Sequence, residues 1–142
     1  FVKGIESALF PGIVSNHHLH RIPALLAAAI AYDTKHTDYG KRVVETAQKL
    51  SELLADAGFS VCGYDGKRYT YTHQVVLDVR EMGGGALVAD KLERSGIIVN
   101  KNSLPWDKSV INPSGIRIGV QEAVLRGYGA EEIFEKLKIA LK

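Results

Sequence analysis

The sequence predicts an α/β chain, specifically an α+β two-layer sandwich with a small mixed or antiparallel sheet of about four strands backed by helices. Three observations predict it. Val43, Ala47, Leu50 and Leu54, supported by Val44, Leu53 and Ala57, recur at helical spacing. Short β-rich runs at 59–62, 74–80, 97–99 and 116–120 are separated by turn-forming residues. A second helical pattern, Ala130 to Leu141, closes the chain with Glu131 and Glu132 in its first turn and Ile133, Phe134, Leu137 and Leu141 on its inward side. At 142 residues the chain is long enough for one good core, since a chain of that size buries roughly two-thirds of its unfolded surface.

Taken in order, the first element is a helix opened by Pro23, whose missing N–H does no harm in a first turn, and continued by Ala24-Leu25-Leu26-Ala27-Ala28-Ala29-Ile30-Ala31. It is apolar on every side. A helix without a polar face must be covered all round, and a small sheet covers only one side, so a second domain or a second subunit is expected over the rest. Residues 1–37 therefore read as an interface segment with an apolar helix, and 38–142 as a separate small domain. In that domain the amphipathic helix ends at Gly58, a C-cap residue, and Phe59-Ser60-Val61-Cys62 reads as a strand. Gly63-Tyr64-Asp65-Gly66 is a turn and Gln74 to Arg80 a long strand. Gly83-Gly84-Gly85 breaks the chain as a flexible turn, because it lacks the lysine and Ser/Thr of a P-loop and the spacing of a dinucleotide fingerprint. Leu87, Val88, Lys91 and Leu92 mark a short helix closed by Gly96. Ile97-Ile98-Val99 reads as a β-branched strand running into the polar Asn100-Lys101-Asn102.

Composition excludes several classes. Lys and Arg total 18 against 16 Asp and Glu, a formal charge of +2 with the basic residues scattered, which argues against a nucleic-acid partner. The single cysteine, Cys62, excludes an intramolecular disulfide and a cysteine-built zinc site, and makes the cytoplasm the default location. The longest apolar run, Ala24 to Tyr32, is shorter than the roughly 20 residues that cross a bilayer, and no leader is expected at the start, so no membrane partner is expected. The chain begins at Phe1 rather than methionine, within what reads as structured sequence, and is expected to be a piece of something longer.

The residues with chemistry to offer sit at strand ends and turns. In Ser114-Gly115-Ile116-Arg117-Ile118-Gly119, alternation puts Ile116, Ile118 and Val120 on one face and Arg117 with Gly115 and Gly119 on the other. The arginine face then looks almost empty, and a forked, permanent cation beside bare backbone suits a small carboxylate, gripped by two parallel hydrogen bonds. An arginine on the solvated face of a half-buried strand is the commoner circumstance. His73, entering its strand, is more often structural than catalytic, and Asn100-Lys101-Asn102 is more often a solvated turn. His17-His18-Leu19-His20 has the spacing of no standard zinc site, so no metal is expected.

In colinear order, Ala8-Leu9-Phe10-Pro11-Gly12, Leu77-Asp78-Val79-Arg80 after the His73 strand, Val99-Asn100-Lys101-Asn102-Ser103-Leu104-Pro105, and Ser114 to Gly119 with Leu125-Arg126-Gly127-Tyr128 resemble serine hydroxymethyltransferase over almost the whole chain. The resemblance is to the C-terminal third of that family, so 38–142 corresponds to its C-terminal small domain. It implies a fold-type I pyridoxal 5'-phosphate enzyme, normally a homodimer, that moves a hydroxymethyl group between serine and a tetrahydrofolate-type pterin, giving glycine. Arg117 is implied to hold the α-carboxylate of serine or glycine, Asn102 to hydrogen-bond the pterin, and Ser103 to shape that pocket. His73 and Arg126 match positions expected to be structural.

The chain also departs from the family pattern. Where a Gln-Gly-Gly-Pro-type loop usually reaches the cofactor phosphate of the neighbouring subunit, this sequence has Ile13 to His20, in which Ser15 and Asn16 are the remaining donors and His20 aligns with the histidine ending the loop. The stretch between Asn102 and Arg117 is slightly shorter than in familiar bacterial enzymes, and Trp106 replaces a small polar residue. No lysine here has the Thr- and His-rich setting of the Schiff-base lysine, so the catalytic residues belong to an N-terminal part outside this sequence, and the chain alone is expected to be inactive. Three alternatives remain: an aldolase-type relative acting on another β-hydroxy amino acid, a ferredoxin-like regulatory module that senses a small carboxylate through Arg117, and a purely structural dimerisation domain.

Overall fold

The computed structural model of the chain describes residues 1–14, 16 and 18–141. They form two compact units, 1–37 and 38–142. In the first, α1 (Val2–Ser7) runs into a wide turn at Ala8–Ile13, extended at Phe10, with the Phe10–Pro11 peptide cis. α2 (Arg21–Thr34) follows, with Pro23 in its first turn as expected, and none of its residues is buried. Leu25 is 71% exposed and Leu26 58%.

The second unit is a two-layer sandwich. Its elements are α3 (Tyr39–Asp56), β1 (Ser60–Val61), β2 (Gln74–Asp78), a 3-10 turn at Arg80–Met82, α4 (Gly85–Arg94), β3 (Asn100–Asn102), β4 (Gly115–Gly119), α5 (Gln121–Leu125) and α6 (Ala130–Leu141). The sheet has four strands in the order β1-β2-β4-β3, and every neighbouring pair is antiparallel. β2 and β3 therefore run parallel with β4 inserted between them, and α4 makes the crossover, a split βαβ arrangement.

The core lies between one face of this sheet and the helices. Val75 and Leu77 of β2, Ile116 and Ile118 of β4 and the adjacent Val120 meet Val43, Ala47, Leu50 and Leu54 of α3, Val88 and Leu92 of α4, and Phe134 and Leu137 of α6. The alternation read at 116–120 is thus the buried face of a central strand. α3 leaves through Gly58 (φ +88°), whose neighbour Phe59 donates its N–H to Leu54 O at 3.0 Å.

Three local expectations are corrected. The β2 strand ends at Asp78, since Val79 donates to Ser114 O and the chain then curls into the 3-10 turn, which takes Arg80 out of the ladder. The β-branched 97–99 run is not a ladder strand: Ile97 and Val99 pack on the core, whereas the backbone pairing with β4 is made by Asn100, Lys101 and Asn102. Gly83-Gly84-Gly85 is a tightly specified turn rather than a flexible one. Gly84 (φ 90°, ψ 169°) holds a conformation nearly exclusive to glycine, and a Cβ on Gly85 would penetrate the Gly115 carbonyl oxygen, because α4 starts against the backbone of β4.

Candidate functional site

Helices cover one face of the sheet, and the other carries the polar side chains. Partners directly opposite in an antiparallel pair share a face. The register Val76↔Arg117↔Asn100 and Asp78↔Gly115↔Asn102 therefore places Gln74, Val76 and Asp78, Arg117, and Asn100 and Asn102 on the same open face. Arg117 lies at its centre on β4, with Val76 on one side and Asn100 on the other. Asn102 is its diagonal neighbour, about 7–8 Å away between Cα atoms by sheet geometry.

The glycines flanking Arg117 have a different use from the one their sequence suggested. The arginine face is not empty beside them. Leu104 Cδ2 lies 2.7 Å from where a Cβ of residue 115 would be, and Gln121 Oε1 2.6 Å from where a Cβ of residue 119 would be. The two glycines make room for these neighbours, which wall the arginine above and below.

Arg117 itself is half-buried, and its guanidinium makes no hydrogen bond or ion pair among the described residues. The other five arginines of 38–142 are engaged. Arg42 pairs with Asp38, Arg80 with Asp78, Arg94 with Asp90 and Arg126 with Glu122, while Arg68 lies over the Tyr71 ring. A partly desolvated cation without a counter-charge is costly to keep, and an incoming anion relieves that cost.

Sequence reasoning missed the residues that frame this face. Asp78 accepts from Arg80 Nη2 at 2.7 Å and Nε at 3.2 Å, and from the Trp106 indole N–H at 3.2 Å. Burial pushes the Asp78 carboxyl up, but the bonds from Arg80 and Trp106 outweigh it and hold the group below the usual carboxylate range. Trp106 also lies under the Arg80 guanidinium, 5.7 Å from ring centre to carbon. Asp107 Oδ2 accepts the N–H groups of Leu104 (2.9 Å) and Ser114 (2.8 Å). The Ser114 hydroxyl beside this carboxylate, together with these N–H groups, keeps the Asp107 carboxyl below its usual range. The signal for Asp78 was its parity with Val76 along β2; Trp106 and Asp107 lie in irregular chain, which has no period to read.

The remaining expected residues are distributed as follows. Asn102 and Ser103 are half-buried, and Asn102 Nδ2 donates to Ser103 O at 2.9 Å. The His73 carbonyl accepts the Val120 N–H at 3.2 Å, closing the end of the β2–β4 ladder, and Arg126 forms an exposed pair with Glu122. Asn16 is exposed in the first unit, while Ser15 and His17 lie outside the described residues. The His18 and His20 rings pack edge to face at 5.7 Å, and no group of three or more His, Cys, Asp or Glu is placed to hold a metal among the described residues. No helix among them is long and apolar enough to cross a membrane.

A helix-backed antiparallel sheet whose open face carries one unpaired guanidinium beside two asparagines defines an α/β domain with a polar, cationic open face. The family model described as serine hydroxymethyltransferase matches residues 1–140. The chain is 49% identical over 142 residues to the serine hydroxymethyltransferase of Aeropyrum pernix, covering 99% of this chain and 32% of that protein. It is 47% identical to that of Pyrobaculum arsenaticum over 137 residues (96% and 32%) and 49% to that of Archaeoglobus fulgidus over 131 residues (91% and 30%). The chain belongs to the serine hydroxymethyltransferase family, and spans about a third of the length of the curated relatives it matches.

Proposed function

We propose that this chain supplies the substrate-carboxylate clamp and part of the pterin wall of a pyridoxal-phosphate-dependent glycine hydroxymethyltransferase, which exchanges a hydroxymethyl group between serine and a tetrahydrofolate-type pterin. The observation that carries the reading is the lone unpaired guanidinium of Arg117 at the centre of the open sheet face, diagonal to Asn102. Arg117 binds the α-carboxylate of serine or glycine through both arms of its fork and so fixes how the α-carbon substituents point. Asn102, with Ser103 beside it, hydrogen-bonds the pterin and brings it to the amino acid from the neighbouring strand. Nothing in this chain forms or breaks the bond.

The cofactor, when bound, supplies an electron sink at the amino acid's α-carbon. On this chain its phosphate would meet Asn16, whose exposed amide makes no hydrogen bond among the described residues and suits a phosphate oxygen, together with Ser15. The rest of the cofactor site falls to an N-terminal part. That part and a second subunit also cover α2, which makes the enzyme a homodimer. We place it in the cytoplasm.

The test is substitution in the complete enzyme. Arg117→Lys keeps the charge but not the fork, and is expected to raise the KM for serine by tenfold or more, where each tenfold is about 1.4 kcal/mol of lost binding. An unchanged serine KM overturns the assignment. The isolated chain is expected to retain no visible cofactor absorbance and to bind glycine weakly or not at all; saturable glycine binding by calorimetry would point instead to a self-contained carboxylate-binding module.

A further inference from the structure

The connection from β3 to β4, residues 103–114, contains no helix or strand, and it separates the two residues that the proposed function places on the two ligands, Asn102 on the pterin and Arg117 on the amino acid. β3 is a three-residue edge strand whose ladder partner is β4 alone. Its position therefore depends on how the connection is held. Trp106 ties the loop to Asp78, and Val79 and Gly85 bond its last residues, but the two ends of the loop are joined to each other by a single oxygen, Asp107 Oδ2.

We propose that Asp107 is a positioning residue that locks Asn102 and Ser103 on β3 in register with Arg117 on β4; the proposal rests on the reading of those residues given above. Asp107 Oδ2 accepts from Leu104, two residues after Asn102, and from Ser114, three residues before Arg117. The Asp107 N–H donates back to Leu104 O at 2.9 Å, so the 104–107 turn and the start of β4 converge on this side chain. The Leu104 side chain then seats on Gly115, where any side chain at 115 would meet it. A pterin bound from β3 and an amino acid bound from β4 thus act on one clamped unit, and each ligand bound stiffens the site the other needs. Such coupling is reciprocal. Removing the carboxylate leaves two half-buried N–H groups without an acceptor and frees the loop.

The experiment measures glycine affinity of the complete enzyme by calorimetry, with and without saturating tetrahydrofolate, alongside the KM values for serine and tetrahydrofolate. In the wild type the pterin is expected to tighten glycine by roughly fivefold or more. Asp107→Ala is expected to lose most of that tightening and to raise both KM values. Asp107→Asn, which keeps an oxygen able to accept both N–H groups, is expected to restore most of the coupling. A purely structural residue would change stability without this split between the two variants. If Asp107→Ala does not fold, Asp107→Glu replaces it, with the carboxylate displaced by one methylene and the coupling expected to fall. Wild-type coupling retained in Ala or Glu, or no coupling in a wild type that turns over normally, overturns the proposal and leaves the family activity standing. Absence of serine- and pterin-dependent turnover in the wild type overturns the underlying reading instead.

Discussion

Arg117 and Arg80 share one sheet neighbourhood and differ in what they face. Arg80 is neutralised by a carboxylate that grips it at 2.7 Å and by an aromatic ring, whereas Arg117 has neither. That contrast separates a structural guanidinium from one available to a ligand. Among the acids, Asp65 shows how local geometry sets a titration. The Tyr71 hydroxyl, at 2.5 Å, and the Arg68 and Lys67 N–H groups hold its carboxyl at about 2. Because the folded value lies below the ordinary 3.8, the group stabilises the fold above pH 3.8, and the contribution disappears as pH falls from there through about 2. The turn is exposed, so the effect is small and screened by salt. Asp65→Asn is expected to lower the urea midpoint at pH 6, with the gap to the wild type narrowing as pH falls from 3.8 towards 2; a gap that stays the same between pH 6 and pH 2 would assign the loss to something other than charge. Cys62 is moved the other way, since burial and the Asp78 carboxylate push its thiol up, and slow alkylation at neutral pH is expected.

At the scale of elements, amphipathic periods transferred from sequence to structure, and so did the strand patterns of β1, β2 and β4, whereas the β-branched run at 97–99 did not. α3 buries Val43, Ala47, Leu50 and Leu54 and α6 buries Phe134, Leu137 and Leu141, while Val44, Leu53 and Ile133 at the stripe edges are half-buried and Ala57, beyond the end of α3, is exposed, because a helix against a sheet turns one stripe inward. The 97–99 run is β-branched, yet pairing with β4 falls on the polar residues after it, since a ladder forms where a partner's backbone lies alongside. Two substitutions probe these packings. Leu50, fully buried on α3, is expected to cost about 2–5 kcal/mol when changed to alanine, read as a shift in the urea transition. Gly85→Ala forces a methyl group into the Gly115 carbonyl and is expected to cost roughly 1–3 kcal/mol, with the damage reaching Arg117 through β4. A Gly85→Ala variant as stable as the wild type would mean that α4 shifts freely along β4.

On the scale of the whole chain, the contrast is between a unit with a closed core and a unit whose apolar helix has none. Residues 38–142 bury aliphatic side chains from every helix they contain, while α2 leaves Leu25, Leu26 and Ile30 exposed. We propose that a partner covers this open apolar surface. Residues 38–142 alone are therefore expected to sediment as a folded monomer, and residues 1–142 to associate as concentration rises. Equal, concentration-independent sedimentation of the two would remove the reason for placing a partner over α2.

By itself the sequence determined the two-layer α/β class, the helices α2, α3, α4 and α6, the buried face of β4 and the family, because hydrophobic period and contiguous motifs are local properties written along the chain; the short α1 and α5 carried no such period. It also singled out Arg117 and Asn102 without showing that they meet. Tertiary structure decided that they are diagonal neighbours on one open face, that Leu104 and Gln121 occupy the space beside the flanking glycines, and that Asp78, Trp106 and Asp107 frame the site. These depend on strand order and on an irregular loop, where residues far apart in the chain are brought together by pairing and packing rather than by any repeating pattern.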